Sequence, residues 1–211
     1  MIKVLIADDH TLVRKGLKQI LLDAEDIQHV VDEARDGKET LNKVNKEDYD
    51  MVILDISLPG RSGIDILKQI KCTKPKLPVL ILSMHPEEQY AVRSLRAGAA
   101  GYMTKESAPD ELIDAIKKVA AGGKYITASL AEKLAGEIGP DAEKLLHEIL
   151  SDREYQVMCL IASGKTVKEI AEALNLSVKT ISTHRARILN KMRMDNNAQL
   201  THYAIKRGLV I

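Results

Sequence analysis

The chain has 211 residues, 45% of them hydrophobic, which allows one large soluble domain or two small ones with packed cores. No apolar run approaches the ~20 residues of a membrane span, and no basic stretch followed by an apolar stretch and a cleavage site opens the chain; we expect a cytoplasmic protein with no membrane partner. The net charge of +1 hides an asymmetry, because residues 151–211 carry ten Lys/Arg against five Asp/Glu while residues 1–120 carry eighteen against twenty, so the C-terminal third is the part suited to a polyanion.

The first 120 residues alternate between two patterns. Short aliphatic runs, "IKVLIA" (2–7), "HVVDEA" (29–34), "DMVILD" (50–55), "PVLILS" (78–83) and "GYMTK" (101–105), read as strands buried on both faces. Between them, "TLVRKGLKQILLD", "GKETLNKVNKE", "GIDILKQIK" and "EEQYAVRSLRAG" are amphipathic helical stretches, and "PDELIDAIKKVAAG" follows the last strand. Five such units in series predict a five-stranded parallel α/β sheet with helices on both faces, over residues 1–121. Gly122–Gly123 and "GP" at 139–140 punctuate the next segment, so 122–148 reads as a partly helical linker.

From there the pattern is all helix. "SDREYQVMCLIASG" offers Ser151 as N-cap with Glu154 three residues on, a capping box, and Gly164 as a stop. "TVKEIAEALN", the short turn "LS", "VKTISTHRARILNKMRM" and "NAQLTHYAIKRG" complete an all-α domain over 149–211. Cys72 and Cys159 are too few and too far apart for a disulfide framework or a ligand pair. With no Phe and no Trp, the chain lacks the aromatic surface that a stacked flavin uses.

Functional groups of an open parallel sheet gather beyond the carboxyl ends of its strands, where the winding reverses. Four of the five strands end in polar groups: Asp8 with Asp9, Asp55, Ser83, and Lys105. Three carboxylates in one crevice repel unless a cation intervenes, and hard oxygen ligands on an open loop suit Mg²⁺, with Mn²⁺ the alternative. A divalent ion and one ammonium are what an incoming phosphoryl group requires, and a carboxylate can serve as its acceptor.

"LIADDH", "VILDISLPGRSG", "ILSMH" and "GYMTKES", in order and each at a strand end, resemble the receiver domain of two-component response regulators with its flavodoxin-like fold. The resemblance implies Asp55 as phosphoacceptor and Asp9 as direct metal ligand, with Asp8 acting through water or as a second carboxylate. The Ser57 backbone carbonyl would be a further ligand. Ser83 and Lys105 would hold phosphoryl oxygens, Tyr102 would move with Ser83, and Pro59 and Gly63 would shape the loop after Asp55.

In the C-terminal domain, Ile170, Ala171 and Leu174 can pack against Ile181 and Ile188 across the turn, and at 100° per residue Val178, Ile181, Ile188, Leu189 and Met192 share one face of the second helix. The remaining surface carries Lys179, Thr180, Ser182, Thr183, Ala186, Arg187, Asn190 and Lys191, a set suited to the major groove, with Arg185 nearer the apolar edge. His184 reads as a packing residue. "SDRE" and "NLSVKTISTHRARIL" resemble the LuxR-type helix-turn-helix, and a receiver ahead of it resembles the NarL/FixJ family.

That resemblance implies a transcription regulator, phosphorylated by a sensor histidine kinase, that becomes a homodimer on double-stranded DNA, with RNA polymerase a further candidate partner. No external substrate is expected to turn over; the receiver would catalyse phosphotransfer to its own aspartate and slow autodephosphorylation. Two readings from other classes compete with this one. An aspartate-nucleophile phosphohydrolase would want a second carboxylate where Ser57 stands, and a flavodoxin-like electron carrier would want a neutral, hydroxyl-rich loop where "ADDHTL" is acidic.

Overall fold

The computed structural model describes residues 2–24, 29–136 and 145–210. The chain forms two compact units, Met1–Leu134 and Ala135–Ile211.

In the first unit, β1 (Ile2–Ala7), β2 (His29–Ala34), β3 (Met51–Asp55), β4 (Val79–Ser83) and β5 (Gly101–Thr104) form one parallel sheet in the order β2-β1-β3-β4-β5. Helices α1 (Thr11–Asp23), α2 (Gly37–Lys46), α3 (Gly63–Thr73), α4 (Glu87–Arg96) and α5 (Ala108–Ala120) alternate with the strands. Alternation of side chains along the strands divides the core. Val4, Ile6, Met51, Ile53, Leu80, Leu82 and Met103 pack with Leu17 and Leu21 of α1 and Leu112, Ala115, Ile116 and Val119 of α5. Leu5, Val52, Leu54 and Ile81, equally buried, point to the opposite face. Each such buried aliphatic stabilises by about 1.5–3 kcal/mol, whereas an unpartnered polar group inside a strand would cost a comparable amount. Polar side chains are thereby driven to the strand ends.

Two local features set the loops around those ends. Gly63 donates its N–H to the Ile56 carbonyl at 2.9 Å, and a Cβ there would collide with the Asp55 carbonyl and the Ile56 Cα, so only glycine lets the loop after Asp55 fold back into α3. At the outer edge of β5, the Tyr125 N–H donates to the Ala100 carbonyl at 2.9 Å and forms a parallel bridge with Gly101. The Tyr125 hydroxyl donates to Glu111 of α5, and the Thr127 hydroxyl donates to Glu87 of α4 at 2.6 Å. Thr127 also caps α6 (Ala128–Gly136), accepting the Leu130 N–H, and Leu130 is buried. The first half of the segment read as a linker is therefore packed onto the sheet edge. Its "GP" at 139–140 lies outside the described residues.

In the second unit the described residues from 145 on form a 3₁₀ turn, Leu146–Ile149, then α7 (Asp152–Ala162), α8 (Val167–Ala173), α9 (Val178–Met192) and α10 (Asn197–Lys206). Ser151 and Glu154 form the expected capping box, and Gly164 ends the α7 segment at φ +84°. A second box, Thr166 with Glu169 in "TVKE", starts α8. Ile170, Ala171 and Leu174 are buried with Ile181, Ile188 and Met192, as the turn requires. Val178 departs from expectation. At the first position of α9 it is 51% exposed, while Ile181, Ile188 and Met192 further along the helix are buried.

Candidate functional site

The strand order places β1 beside β3 at the sheet centre, with β2 beyond one and β4 beyond the other, so the winding reverses between them. Asp8 follows β1 directly, Asp55 closes β3, and both are 1% exposed. Lys105, one residue past the end of β5, spans the crevice: its ammonium lies 2.6 Å from Asp8 Oδ2 and 2.7 Å from Asp55 Oδ2. Burial pushes the Asp55 carboxyl above its ordinary value; Lys105 pulls it down and Asp8 adds to the rise. Burial opposes charge on Lys105 as well, but Asp55 and Asp8 outweigh it and hold the ammonium above its usual value. The Ser57 N–H donates to Asp55 Oδ1 at 2.9 Å, which fixes the carboxylate plane.

Asp9 is about one-third exposed at the mouth, and ligand atoms of Asp8, Asp9, His10 and Asp55 all lie within 4.8 Å of one another. His10 is the member that strand-end reasoning passed over. Its ring Nδ1 is 2.9 Å from Asp9 Oδ1 and its N–H donates to Asp8 Oδ1 at 2.7 Å. The cluster fits a divalent cation: hard oxygens on a partly open loop, with more carboxylates than the single ammonium neutralises.

Ser83 and Tyr102 are fully buried beside this crevice. Ser83 Oγ accepts the His85 N–H at 2.9 Å, and the Tyr102 hydroxyl donates to the His85 carbonyl at 2.8 Å. One peptide segment, Met84–His85, thus ties both side chains together, while Met84 itself is 73% exposed at the surface.

On α9, Lys179, Ser182, Thr183, Ala186, Arg187, Asn190 and Lys191 are exposed and Thr180 is half-buried. Ser177 caps the helix by accepting the Thr180 N–H at 3.0 Å, and Asn175 takes the left-handed conformation that closes the turn before it. Two cations are engaged elsewhere. Arg185 Nε donates to Asn197 Oδ1 at 2.7 Å, pinning α10 to α9, which agrees with its position near the apolar edge. Lys191 lies 2.6 Å from the buried Glu154 carboxylate. Sequence spacing could not pair residues 37 positions apart. His184 is half-buried with an unpartnered Nδ1, and burial, with Arg153 second, lowers its pKa; it packs as expected.

Comparison with known proteins agrees with both halves. Residues 4–117 match the family described as response regulator receiver domain, and residues 148–204 match bacterial regulatory proteins of the luxR family. The chain is 38% identical to the response regulator UvrY of Escherichia coli K12 over 210 residues, covering 99% of this chain and 96% of that one. It is 36% identical to the response regulator GacA of Pseudomonas aeruginosa over 211 residues, with 100% and 98% coverage. Among solved structures, RcsB of Salmonella enterica serovar Typhimurium, bound to promoter rprA in the presence of the phosphomimetic BeF₃⁻, superposes with a TM-score of 0.65 at 31% identity, covering 96% of this chain and 97% of that one. Among the described residues no helix is long and apolar enough to cross a membrane. The chain belongs to the NarL/FixJ family of response regulators, transcription regulators that join a receiver to a LuxR-type helix-turn-helix DNA-binding domain.

Proposed function

We propose that Asp55 is the phosphoacceptor and that a phosphoryl group on it switches the chain toward dimeric, sequence-specific DNA binding. The observation that carries this is the bridge of Lys105 between Asp8 and Asp55. An ammonium held between two buried carboxylates is placed to meet the charge that a phosphoryl group brings to the same crevice. The donor is a phosphohistidine of a sensor kinase: Asp55 Oδ attacks phosphorus, the bond to the histidine nitrogen breaks, and the imidazole leaves with the electron pair.

Asp8, Asp9, Asp55 and the Ser57 carbonyl would hold Mg²⁺, or Mn²⁺ in its place, which supplies neutralisation of the anionic oxygens. Ser83 would donate to a phosphoryl oxygen, Lys105 would hold another, and Tyr102 would follow the peptide it shares with Ser83. On α9, Ser182, Thr183, Ala186 and Asn190 would face bases of the major groove, with Lys179, Thr180, Arg187 and Lys191 toward phosphates and Arg185 at the edge. Exposure of this face supports the reading, as does the DNA-bound RcsB structure. RNA polymerase would be met by the DNA-bound dimer.

The test is labelling of the full chain by acetyl phosphate with Mg²⁺. Asp55→Asn is expected to abolish incorporation, and undiminished incorporation would move the acceptor to another residue.

A further inference from the structure

We infer that Arg14 is a positioning residue for the metal-binding loop: it fixes the Asp8–Asp9 peptide and thereby sets where the Asp9 carboxylate stands. This rests on the reading of the acidic crevice as a divalent-cation site.

The loop between β1 and α1 is only three residues long, Asp8 to His10. Arg14 sits one turn into α1, and side chains on a helix lean toward its N-terminus, so its guanidinium returns over the loop. Nη1 donates to the Asp8 carbonyl at 2.6 Å, Nε donates to Glu33 Oε2 at 3.3 Å, and Nη2 donates to Thr11 Oγ1 at 3.3 Å. The side chain is 11% exposed. Glu33 lies on β2 opposite Ile6 of β1 and also accepts from Lys18 of α1 at 3.3 Å. Burial opposes its charge, but Lys18 and Arg14 outweigh burial and hold its carboxyl below the ordinary value. One planar fork therefore ties the loop to both its own helix and the neighbouring strand.

The consequence falls on Asp9. Asp8 is also held at its other groups: its backbone N–H donates to the Ala34 carbonyl, its Oδ1 accepts from the His10 backbone N–H, and its Oδ2 lies 2.6 Å from the Lys105 ammonium. Its carbonyl, held by Arg14, belongs to the rigid peptide plane that carries the Asp9 N–H and leads to the Asp9 Cα. Fixing that carbonyl fixes the direction in which the more exposed Asp9 carboxylate leaves the backbone.

Position and charge predict opposite signs. As a point charge near the carboxylates, Arg14 repels a cation, and its removal would tighten metal binding. As a clasp it orders a ligand, and its removal would weaken binding by about 10- to 100-fold, the usual scale for a partner that orients a metal ligand.

The experiment is calorimetric titration of the full chain with MgCl₂, with thermal melting in parallel, for Arg14→Met, Arg14→Lys and Glu33→Gln. The clasp predicts weaker Mg²⁺ binding in all three. Arg14→Lys should fall well short of wild type, because an ammonium keeps the charge but lacks the fork that reaches carbonyl and carboxylate together. Wild-type affinity in Arg14→Lys with tighter binding in Arg14→Met would leave only the charge. A lower melting temperature with unchanged Mg²⁺ affinity in all three would make Arg14 structural and overturn the inference. If the wild-type protein itself takes up no Mg²⁺, the cation-site reading fails and this inference falls with it.

Discussion

At the scale of single residues, Lys105 between Asp8 and Asp55, and Arg14 between the Asp8 carbonyl and Glu33, show two ways in which a charge is held, at a strand end and by a distant partner. Asp8, Asp9, Asp55, Ser83 and Lys105 stand out because a run of buried aliphatics ends on each. Arg14, Glu33 and His10 carry no such mark, since a basic residue on a helix and an acid at a strand edge read as ordinary solvated charge. Lys191 shows the same limit in the second unit: spacing makes it a DNA contact, while the fold joins it to Glu154, whose carboxylate also accepts the Ser151 N–H at 2.8 Å. That pairing has a pH signature. Burial raises the Glu154 carboxyl, but Lys191 and Ser151 outweigh it and the net shift is downward from 4.5. A depressed folded-state value gives stability that is present above the unfolded value and is lost as pH falls through the folded one. Between pH 6 and pH 3, amide protection across α7 and α9 should therefore decline, and Lys191→Met should lower it at pH 6 while flattening the decline. Because Lys191 is half-exposed, the loss should be about 1 kcal/mol. An identical acid-side decline in the variant would assign the pH dependence to other carboxylates.

At the scale of elements, helices and strands lie close to where periodicity puts them, with shifts of one or two residues at their ends. The strands are legible because a sheet covered on both faces demands continuous aliphatic runs, and the helices because each shows one apolar face to that sheet. The bridge of Tyr125 to Gly101 was not legible. A single backbone bridge has no period, and "GGK" ahead of it reads as a turn. Gly101 makes the approach workable, since a Cβ there would run into the Tyr125 carbonyl and side chain and crowd Leu80. Gly101→Ala should therefore push the 124–130 segment off the sheet edge. Amide exchange at Tyr125 should rise to that of an open backbone, and the melting temperature of the first unit should fall by several degrees, for a loss of about 1–2 kcal/mol. Unchanged protection at Tyr125 would mean that β5 can shift to admit the methyl and that the glycine is not what seats the segment.

At the scale of the whole molecule, the change from alternating strands and helices to helices alone marks two units, and the charge asymmetry separates their partners. On the proposed reading α9 is the helix that meets DNA, and the pairings of its cations bear on how many of them reach phosphates. Arg185 is paired with Asn197 and Lys191 with Glu154, which among the described residues leaves Lys179 and Arg187 as the α9 cations with no side-chain bond to a neighbouring helix. Each phosphate contact contributes about 0.9 to the slope of log affinity against log salt on duplex DNA. Lys179→Ala and Arg187→Ala should each weaken binding across all duplex sequences and reduce that slope by about one. Lys191→Ala should change the slope by less, because a cation held by a carboxylate releases fewer counterions from DNA. The measurement is a salt titration of duplex affinity for the full chain and its three variants. A full unit of slope lost in Lys191→Ala would show that the ammonium leaves Glu154 for the phosphate. Unchanged slopes in both Lys179→Ala and Arg187→Ala would place the backbone contacts off the exposed face of α9.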